Sequence, residues 1–326
     1  MNKDNYLRTP WNTPFIPQRA DPYILHEDGC FWFTASVPEY DRIVLRRADT
    51  LAGLRETPEV TVWKAHPYGL MSQHIWAPEL HRVDGRWYLY FAAGEREDIW
   101  NIRPWLLRCE SDDPQAGPWT ELGMLRARDS FSFRDFSLDM TTFRHRGERY
   151  AVWAEKSGPD PKISSLYIAR LKGADRLATP LMLLSAPTYA WERHGFWVNE
   201  GPAFLPGEDR VFLTYSASDT SKAYCMGMLW ADADADLMDI SAWHKSPRPV
   251  FSTDEERGIY GPGHNSFFRD EAGDWCMAYH ARPYDEVKGD PLYDPNRHCF
   301  VLKLDWADGM PVFSLDRQLF QPKENA

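Results

Sequence analysis

Along most of this chain apolar residues fall in short runs cut by polar turns, and helical spacing is rare. Phe31-Trp32-Phe33, Trp87-Tyr88-Leu89-Tyr90-Phe91, Tyr150-Ala151-Val152-Trp153, Val211-Phe212-Leu213-Thr214-Tyr215 and Trp275-Cys276-Met277-Ala278-Tyr279 are five such runs. Aromatic and branched residues in runs of this length, bounded by Gly or Asp, predict strands. Each run is the second arm of a hairpin. The first arms are Asp21 to Leu25, Trp76 to His81, Asp139 to Phe143, Glu200 to Phe204 and Gly263 to Phe267. The turns between the arms hold Asp28-Gly29, Asp84-Gly85, Arg146-Gly147, Pro206-Gly207 and Ala272-Gly273. Later strands are predicted around Ile43 to Leu45, Trp105 to Arg108, Ser165 to Ala169, Cys225 to Leu229 and Cys299 to Leu302.

The plan therefore occurs five times. Tyr23, Leu80, Phe143, Phe204 and Phe267 hold equivalent places in it, at intervals of about 60 residues, room for four short strands and their loops. Repetition of this kind predicts an all-β fold, a five-bladed β-propeller, formed by residues 1–326 as a single domain. A β-sandwich of unrelated hairpins is the alternative, and the regular spacing weighs against it. Ala233 to Asp239 is the one stretch expected to form a turn or two of helix. Either the tail Pro311 to Leu315 or the N-terminal segment is expected to add the strand that closes the ring.

Composition narrows the partners. A net charge of -11 over 326 residues repels nucleic-acid phosphates and anionic membranes and suits a small neutral substrate. Fifteen Trp, 17 Phe and 15 Tyr serve the core first, and flat rings also stack on sugars. The five cysteines are well separated and form no C-x-x-C pair, which argues against a disulfide framework and a thiolate zinc site. The first residues lack the apolar run of a secretory signal, and no apolar run approaches membrane-spanning length, so a cytoplasmic location is expected.

In a propeller the first strand of each blade lines the axis, so residues at the heads of these strands converge. Here they are Asp21, Glu79, Asp139, Glu200 and His264. Buried carboxylates are unfavourable unless paired or used. Asp21 could instead cap the turn before Pro22, Glu79 could make a structural hydrogen bond, and Asp135 could replace Asp139 as the functional acid. Glycoside hydrolysis needs two carboxyl groups flanking the scissile bond, one protonated and one ionised. Crowded carboxylates raise the pKa of at least one of them.

The motifs Ala20-Asp21-Pro22-Tyr23, Trp76-Ala77-Pro78-Glu79-Leu80-His81, Ser137-Leu138-Asp139-Met140-Thr141-Thr142-Phe143, Asn199-Glu200-Gly201-Pro202 and Gly261-Pro262-Gly263-His264-Asn265-Ser266-Phe267 resemble glycoside hydrolase family 43 in this order. The resemblance covers nearly the whole chain and implies an inverting enzyme acting on arabinose- or xylose-containing oligosaccharides. It implies that Asp21 is the general base, Glu200 the general acid, and Asp139 the carboxylate that orients the acid. His264 resembles the family's axial histidine, which faces a metal ion, often Ca2+; no organic cofactor is implied. Met140 departs from the Pro or Gly that often follows the third acid. Inversion requires base and acid to stand roughly 6.5–9.5 Å apart.

Trp76, Glu79, Tyr215 and Arg282 are the expected substrate contacts, with Arg282 reaching the channel from the second strand of the fifth repeat. Gly289 to His298 is similar to a subset of the family that releases arabinofuranose from arabinan ends. Loops 96–104 and 191–198 are long and aromatic enough to wall off a pocket. The expected activity is an exo-acting α-L-arabinofuranosidase. A β-xylosidase, and a sugar-binding propeller without catalysis, are the alternatives. A retaining β-fructosidase type fits less well, because its Asn-Asp-Pro and Arg-Asp-Pro motifs are not reproduced.

Overall fold

The computed structural model describes residues 9–158 and 163–321, and these fold as a five-bladed β-propeller. Blade one is β1 (Ala20–Glu27), β2 (Cys30–Ser36), β3 (Arg42–Ala48) and β4 (Val60–Lys64), paired in that order. Blade two repeats the order with β5 (Gln73–Val83), β6 (Arg86–Gly94), β7 (Arg103–Cys109) and β8 (Trp119–Met124). Blade three is β9 (Ser137–His145), β10 (Glu148–Lys156) and β11 (Ile163–Lys172), with two outer pieces, β12 (Arg176–Leu177) and β13 (Met182–Ser185), both paired to β11. Blade four is β14 (Trp197–Pro206), β15 (Arg210–Ala217), β16 (Cys225–Asp232) and β17 (His244–Lys245). Blade five is β18 (Tyr260–Arg269), β19 (Trp275–Arg282) and β20 (His298–Lys303), followed by the hairpin β21 (Asp305–Ala307) and β22 (Met310–Val312). The stretch 233–239 forms turns, and a short 3-10 helix follows at Ile240–Ala242.

Local chemistry explains the hairpins. Asp28-Gly29, Asp84-Gly85 and Arg146-Gly147 are two-residue turns with both φ angles positive, between +48° and +85°. That is the turn whose twist matches paired strands. The blades then pack face to face through their apolar sides. Phe143 of blade three stacks on Phe204 of blade four, centroids 3.8 Å apart and nearly parallel. Phe31, Ile24, Phe268 and Val301 fill the seam between blades one and five. The five cysteines are unpaired thiols, four of them buried.

Blade five has three strands of its own, and both chain ends complete it. Phe15 and Ile16 donate backbone hydrogen bonds to the Cys299 carbonyl at 2.8 and 3.2 Å, and the Cys299 N–H returns one to Ile16 at 2.9 Å. Further along β20, the Leu319 N–H donates to the Val301 carbonyl at 2.8 Å. An unpaired edge is thereby covered from both termini.

One irregularity recurs in every blade. The innermost strands β1, β9 and β14 slip register once and β5 and β18 twice, with slips beside Asp21, Ala77, Asp139, Gly201 and His264. Those residues have φ of +52°, +43°, +53°, +54° and +43°. A bulge with a left-handed residue bends the strand and re-aims its side chain. The four residues with side chains beyond a glycine's therefore sit in backbone that glycine would adopt more easily, a strain that concentrates at functional sites.

Candidate active site

The five bulges ring the mouth of the channel, and they decide which expected residues meet. Asp21 lies at the bulge of β1, nearly fully buried. The Ser36 hydroxyl donates to its Oδ2 at 2.5 Å, and Ser36 in turn accepts the Ala77 N–H at 2.8 Å. Its Oδ1 is 3.2 Å from Nδ1 of His264, 3.2 Å from Nδ1 of His280 and 3.6 Å from Nη1 of Arg297. Burial alone would raise this carboxyl, but His264, Arg297 and His280 outweigh it and hold Asp21 well below the ordinary carboxylate range. Burial also depresses both imidazoles, His280 to about 3 and His264 below its ordinary value. Near neutral pH the rings therefore act as dipoles, and Arg297 supplies the full positive charge.

Asp139 and Glu200 sit under the opposite pressure. Burial pushes Asp139 well above the carboxylate range, and the charges of Glu200 and Asp21 add to it. The Gly201 N–H donates to Asp139 Oδ2 at 3.1 Å and pulls the other way. Glu200 is pushed up to about 7, first by burial and then by the charge of Asp21. The Tyr224 hydroxyl donates to Glu200 Oε1 at 2.9 Å and opposes that rise. The mouth thus holds one ionised carboxylate and a pair that retains a proton into the neutral range.

Above these groups opens a cavity of about 490 Å³. Its side walls are apolar, with Trp76, Leu138 and Leu292 low and Trp100, Phe136 and Phe196 toward the rim. Loops 96–104 and 191–198 supply part of this wall, as their composition predicts, and Asp290, Leu292 and Arg297 of the stretch 289–298 join them. Trp76 stacks on His74 with centroids 4.3 Å apart, and Tyr40 meets it edge-on at 5.6 Å. His74 Nδ1 lies 2.9 Å from the Ile99 carbonyl, which fixes the plate from behind. Asp135 is at the rim, exposed, 3.4 Å from Lys156 Nζ and held low by the Phe136 N–H and by Lys156. It remains ionised, so the buried, proton-holding acid of this strand is Asp139.

Three expected contacts lie elsewhere. Glu79 is two residues past the bulge at Ala77, so it points deeper into the channel, where its Oε2 is 2.7 Å from His81 Nε2. It does not line the cavity. Glu200 occupies the place before its bulge that Trp76 occupies in blade two, whereas Asp21, Asp139 and His264 are at the bulge itself. One sequence column thus splits into three orientations. Tyr215 is fully buried in the core, and its hydroxyl donates to Glu192 Oε1 at 2.8 Å. Arg282 is buried behind the pocket, where it donates to the carbonyls of Thr220 and Pro291 and ties two loops together. Arg297, Tyr224, His280 and Ser36 hold the places that those residues were expected to take. Arg297 lies in a loop, outside the repeated strands. Its Nη2 donates to Tyr40 at 2.7 Å, and Tyr40 donates to the Leu292 carbonyl at 2.6 Å.

The residues at the axis do not make a calcium site by themselves. Calcium takes six to eight oxygen ligands. His264 offers nitrogen, and one ring nitrogen already faces Asp21. Among the described residues no three His, Cys, Asp or Glu side chains converge on one point that could hold an ion.

The model of "Glycosyl hydrolases family 43" matches residues 11–311. An "Extracellular exo-alpha-(1->5)-L-arabinofuranosidase" of Streptomyces avermitilis is 48% identical over 308 residues, which are 94% of this chain and 63% of that protein. The chain thus spans less than two thirds of that relative. A protein of the same name from Streptomyces chartreusis is 49% identical over 284 residues, covering 86% of this chain and 85% of its own length. The crystal structure of an α-L-arabinofuranosidase from Lactobacillus brevis superposes with a TM-score of 0.87 at 45% identity, covering 93% of this chain and 95% of that one. The word "extracellular" in two of these relatives' names overturns the cytoplasmic location expected from the N-terminal composition.

Proposed function

The chain belongs to the glycosyl hydrolases of family 43, and from that premise we propose that it is an exo-acting, inverting α-L-arabinofuranosidase that releases arabinose from the ends of arabinan or arabino-oligosaccharides. The observation that carries the reading is the placing of Asp21 and Glu200 at one pocket floor in unlike surroundings, Asp21 beside Arg297 and two imidazoles and held low, Glu200 desolvated and raised to about 7. Asp21 is the base. It takes a proton from a water whose oxygen attacks the anomeric carbon. Glu200 is the acid. It gives its proton to the leaving oxygen as the glycosidic bond breaks. One water is consumed, and the configuration at carbon inverts.

The other groups prepare these two. Arg297, His280 and Ser36 keep Asp21 ionised and aimed. Asp139 is a neighbouring carboxyl bonded to the Gly201 N–H, and it holds the backbone that carries Glu200. Trp76 offers an aromatic face beside the acids for the terminal sugar, since a ring face stacks well on the apolar side of a pentose. The aromatic rim of Trp100 and Phe196 favours a chain end over the middle of a polymer. The whole propeller is the catalytic unit, because the floor draws residues from all five blades.

The test is turnover of p-nitrophenyl α-L-arabinofuranoside and p-nitrophenyl β-D-xylopyranoside by the wild type, by Asp21→Ala and by Glu200→Ala. Release from the arabinoside, lost in Asp21→Ala, is the expected outcome. Faster release from the xyloside would transfer the mechanism to a β-xylosidase. No release from either by folded protein would overturn the assignment.

A further inference from the structure

One stretch of the pocket wall beside the acid has polar groups to spare. Val198 and Glu200 of β14 face the cavity, while Asn199 between them turns the other way, to Ser185 and Glu192. Val198 lies opposite Ser164 of β11, and Ser164 lies opposite Lys156 of β10. These three form one row across the seam of blades three and four, and all of them line the cavity. The Ser164 hydroxyl is buried without a hydrogen-bond partner, although most buried hydroxyls have one. At the end of the row Lys156 Nζ stands 3.4 Å from Asp135 Oδ2, its one ion pair among the described residues. An ammonium carries three donors, so this pair leaves some of them for a ligand. On the other side of Glu200 the polar groups are spent inside the protein. Ser218 Oγ donates to the Trp191 carbonyl at 2.8 Å and accepts the His194 N–H at 3.1 Å. Asp219 Oδ1 accepts the Ser221 N–H at 3.2 Å.

An inverting reaction gives the row a role. Water is activated on the side of the base, and the leaving oxygen lies on the side of the acid. Asp21 belongs to blade one and Glu200 to blade four, so the departing sugar belongs against β14 and its neighbours. A cavity of about 490 Å³ is in the range that encloses a drug-sized ligand, with room for a second sugar beside the terminal one. Sugar hydroxyls both donate and accept, and an ammonium, a carboxylate and a spare hydroxyl answer both needs. We propose that Lys156, Asp135 and Ser164 form the binding site of the leaving sugar, with Lys156 and Asp135 bonding its hydroxyls at the rim and Ser164 doing so deeper in the wall. The site favours an oligosaccharide over a leaving group that lacks hydroxyls. The inference rests on Asp21 being the base and Glu200 the acid in the cleavage of arabinosides proposed above.

The experiment compares α-1,5-arabinobiose with p-nitrophenyl α-L-arabinofuranoside in the wild type, Lys156→Met, Lys156→Arg and Ser164→Ala. The two substrates share the terminal arabinose and differ in the leaving group. Lys156→Met keeps the apolar stem and removes the donors. Its kcat/KM on the disaccharide should fall about tenfold or more. On the aryl glycoside it should stay within about twofold, which also shows that the variant is folded. Lys156→Arg should recover most of the loss, and Ser164→Ala should lose severalfold on the disaccharide alone. An equal change on both substrates, or an unchanged kcat/KM on the disaccharide in both Lys156→Met and Ser164→Ala, would overturn the proposal. Wild-type release from neither substrate would overturn the reaction assigned above and the site with it. Wild-type turnover of both, with no selective loss in the variants, removes the site alone.

Discussion

At the scale of single residues, the site works by giving chemically equal groups unequal surroundings. Asp21 and Glu200 are both buried carboxyls, yet Arg297 and two imidazoles face the first, while desolvation dominates the second. The pH profile should show it. With Glu200 at about 7, its acid form is lost as pH rises through that value, so kcat/KM should fall on the alkaline side near neutrality. Asp21 stays ionised to far lower pH, so its limb lies well to the acid side. A profile flat from pH 6 to 9 on an unactivated substrate would contradict this. Glu200→Gln should lower kcat on the same substrate by roughly 10²–10⁴-fold. Tyr215 makes the complementary case. Its hydroxyl serves the buried Glu192, which also meets Lys245 and Asn199. Tyr215→Phe should leave KM unchanged and destabilise the fold by about 1–3 kcal/mol, read from chemical denaturation. A raised KM with unchanged stability would restore Tyr215 to the sugar site.

At the scale of elements, the decisive device is the bulge repeated in the inner strands. A regular strand alternates its side chains strictly between two faces, and the slip beside a left-handed residue breaks that alternation in every blade. Gly201 shows how tight the device is. Its φ is +54°, and an added Cβ would lie 3.1 Å from the His264 ring. Gly201→Ala should destabilise the protein by about 1–2 kcal/mol through the left-handed conformation and also lower kcat by displacing His264 and the neighbouring acid. Gly85→Ala is the control, since Gly85 has a φ of +81° in a hairpin turn with nothing within 4 Å of the added carbon. It should show a similar loss of stability with kcat intact. Equal kcat in both variants would mean that the bulge does not position the site.

At the scale of the whole molecule, the ring holds charge that folding alone would avoid. Glu200 is raised from its ordinary value of 4.5 to about 7 in the folded state. Between those values the folded protein binds more protons than the unfolded chain, so this group lowers stability as pH rises through that window. Asp139 is raised too, and acts in the same direction. Glu200→Gln should therefore be more stable than the wild type at pH 8 by about 1–3 kcal/mol, and Asp139→Asn should shift in the same direction, with the gain shrinking toward pH 4. Thermal unfolding at the two pH values checks this. A variant less stable than the wild type at pH 8 would show that these carboxyls contribute structure instead. Such a gain in stability at the expense of activity is the usual mark of an active site.

The chain alone was enough to read the five blades, the hairpin turns and the acids at the heads of the inner strands, because a two-residue period, Asp-Gly turns and a repeat near 60 residues are local signals. It also placed Trp76 and the pocket loops. Tertiary structure decided which side chains meet. Glu79 shares a column with Asp21 in the sequence, yet it falls two residues past its bulge and points down the channel. Tyr215 and Arg282 follow strand patterns that suit the core as well as a site, and packing placed both behind the wall. Arg297 and Tyr224 lie in loops far along the chain from Asp21 and Glu200, and no spacing rule links them. Arg297 reaches the floor because the ring closes, with both chain ends paired onto β20, and Tyr224 because the connection after β15 folds back beside Glu200 of its own blade. Strand pattern is written in neighbouring residues, whereas the partners of a buried carboxyl are chosen by closure of the ring.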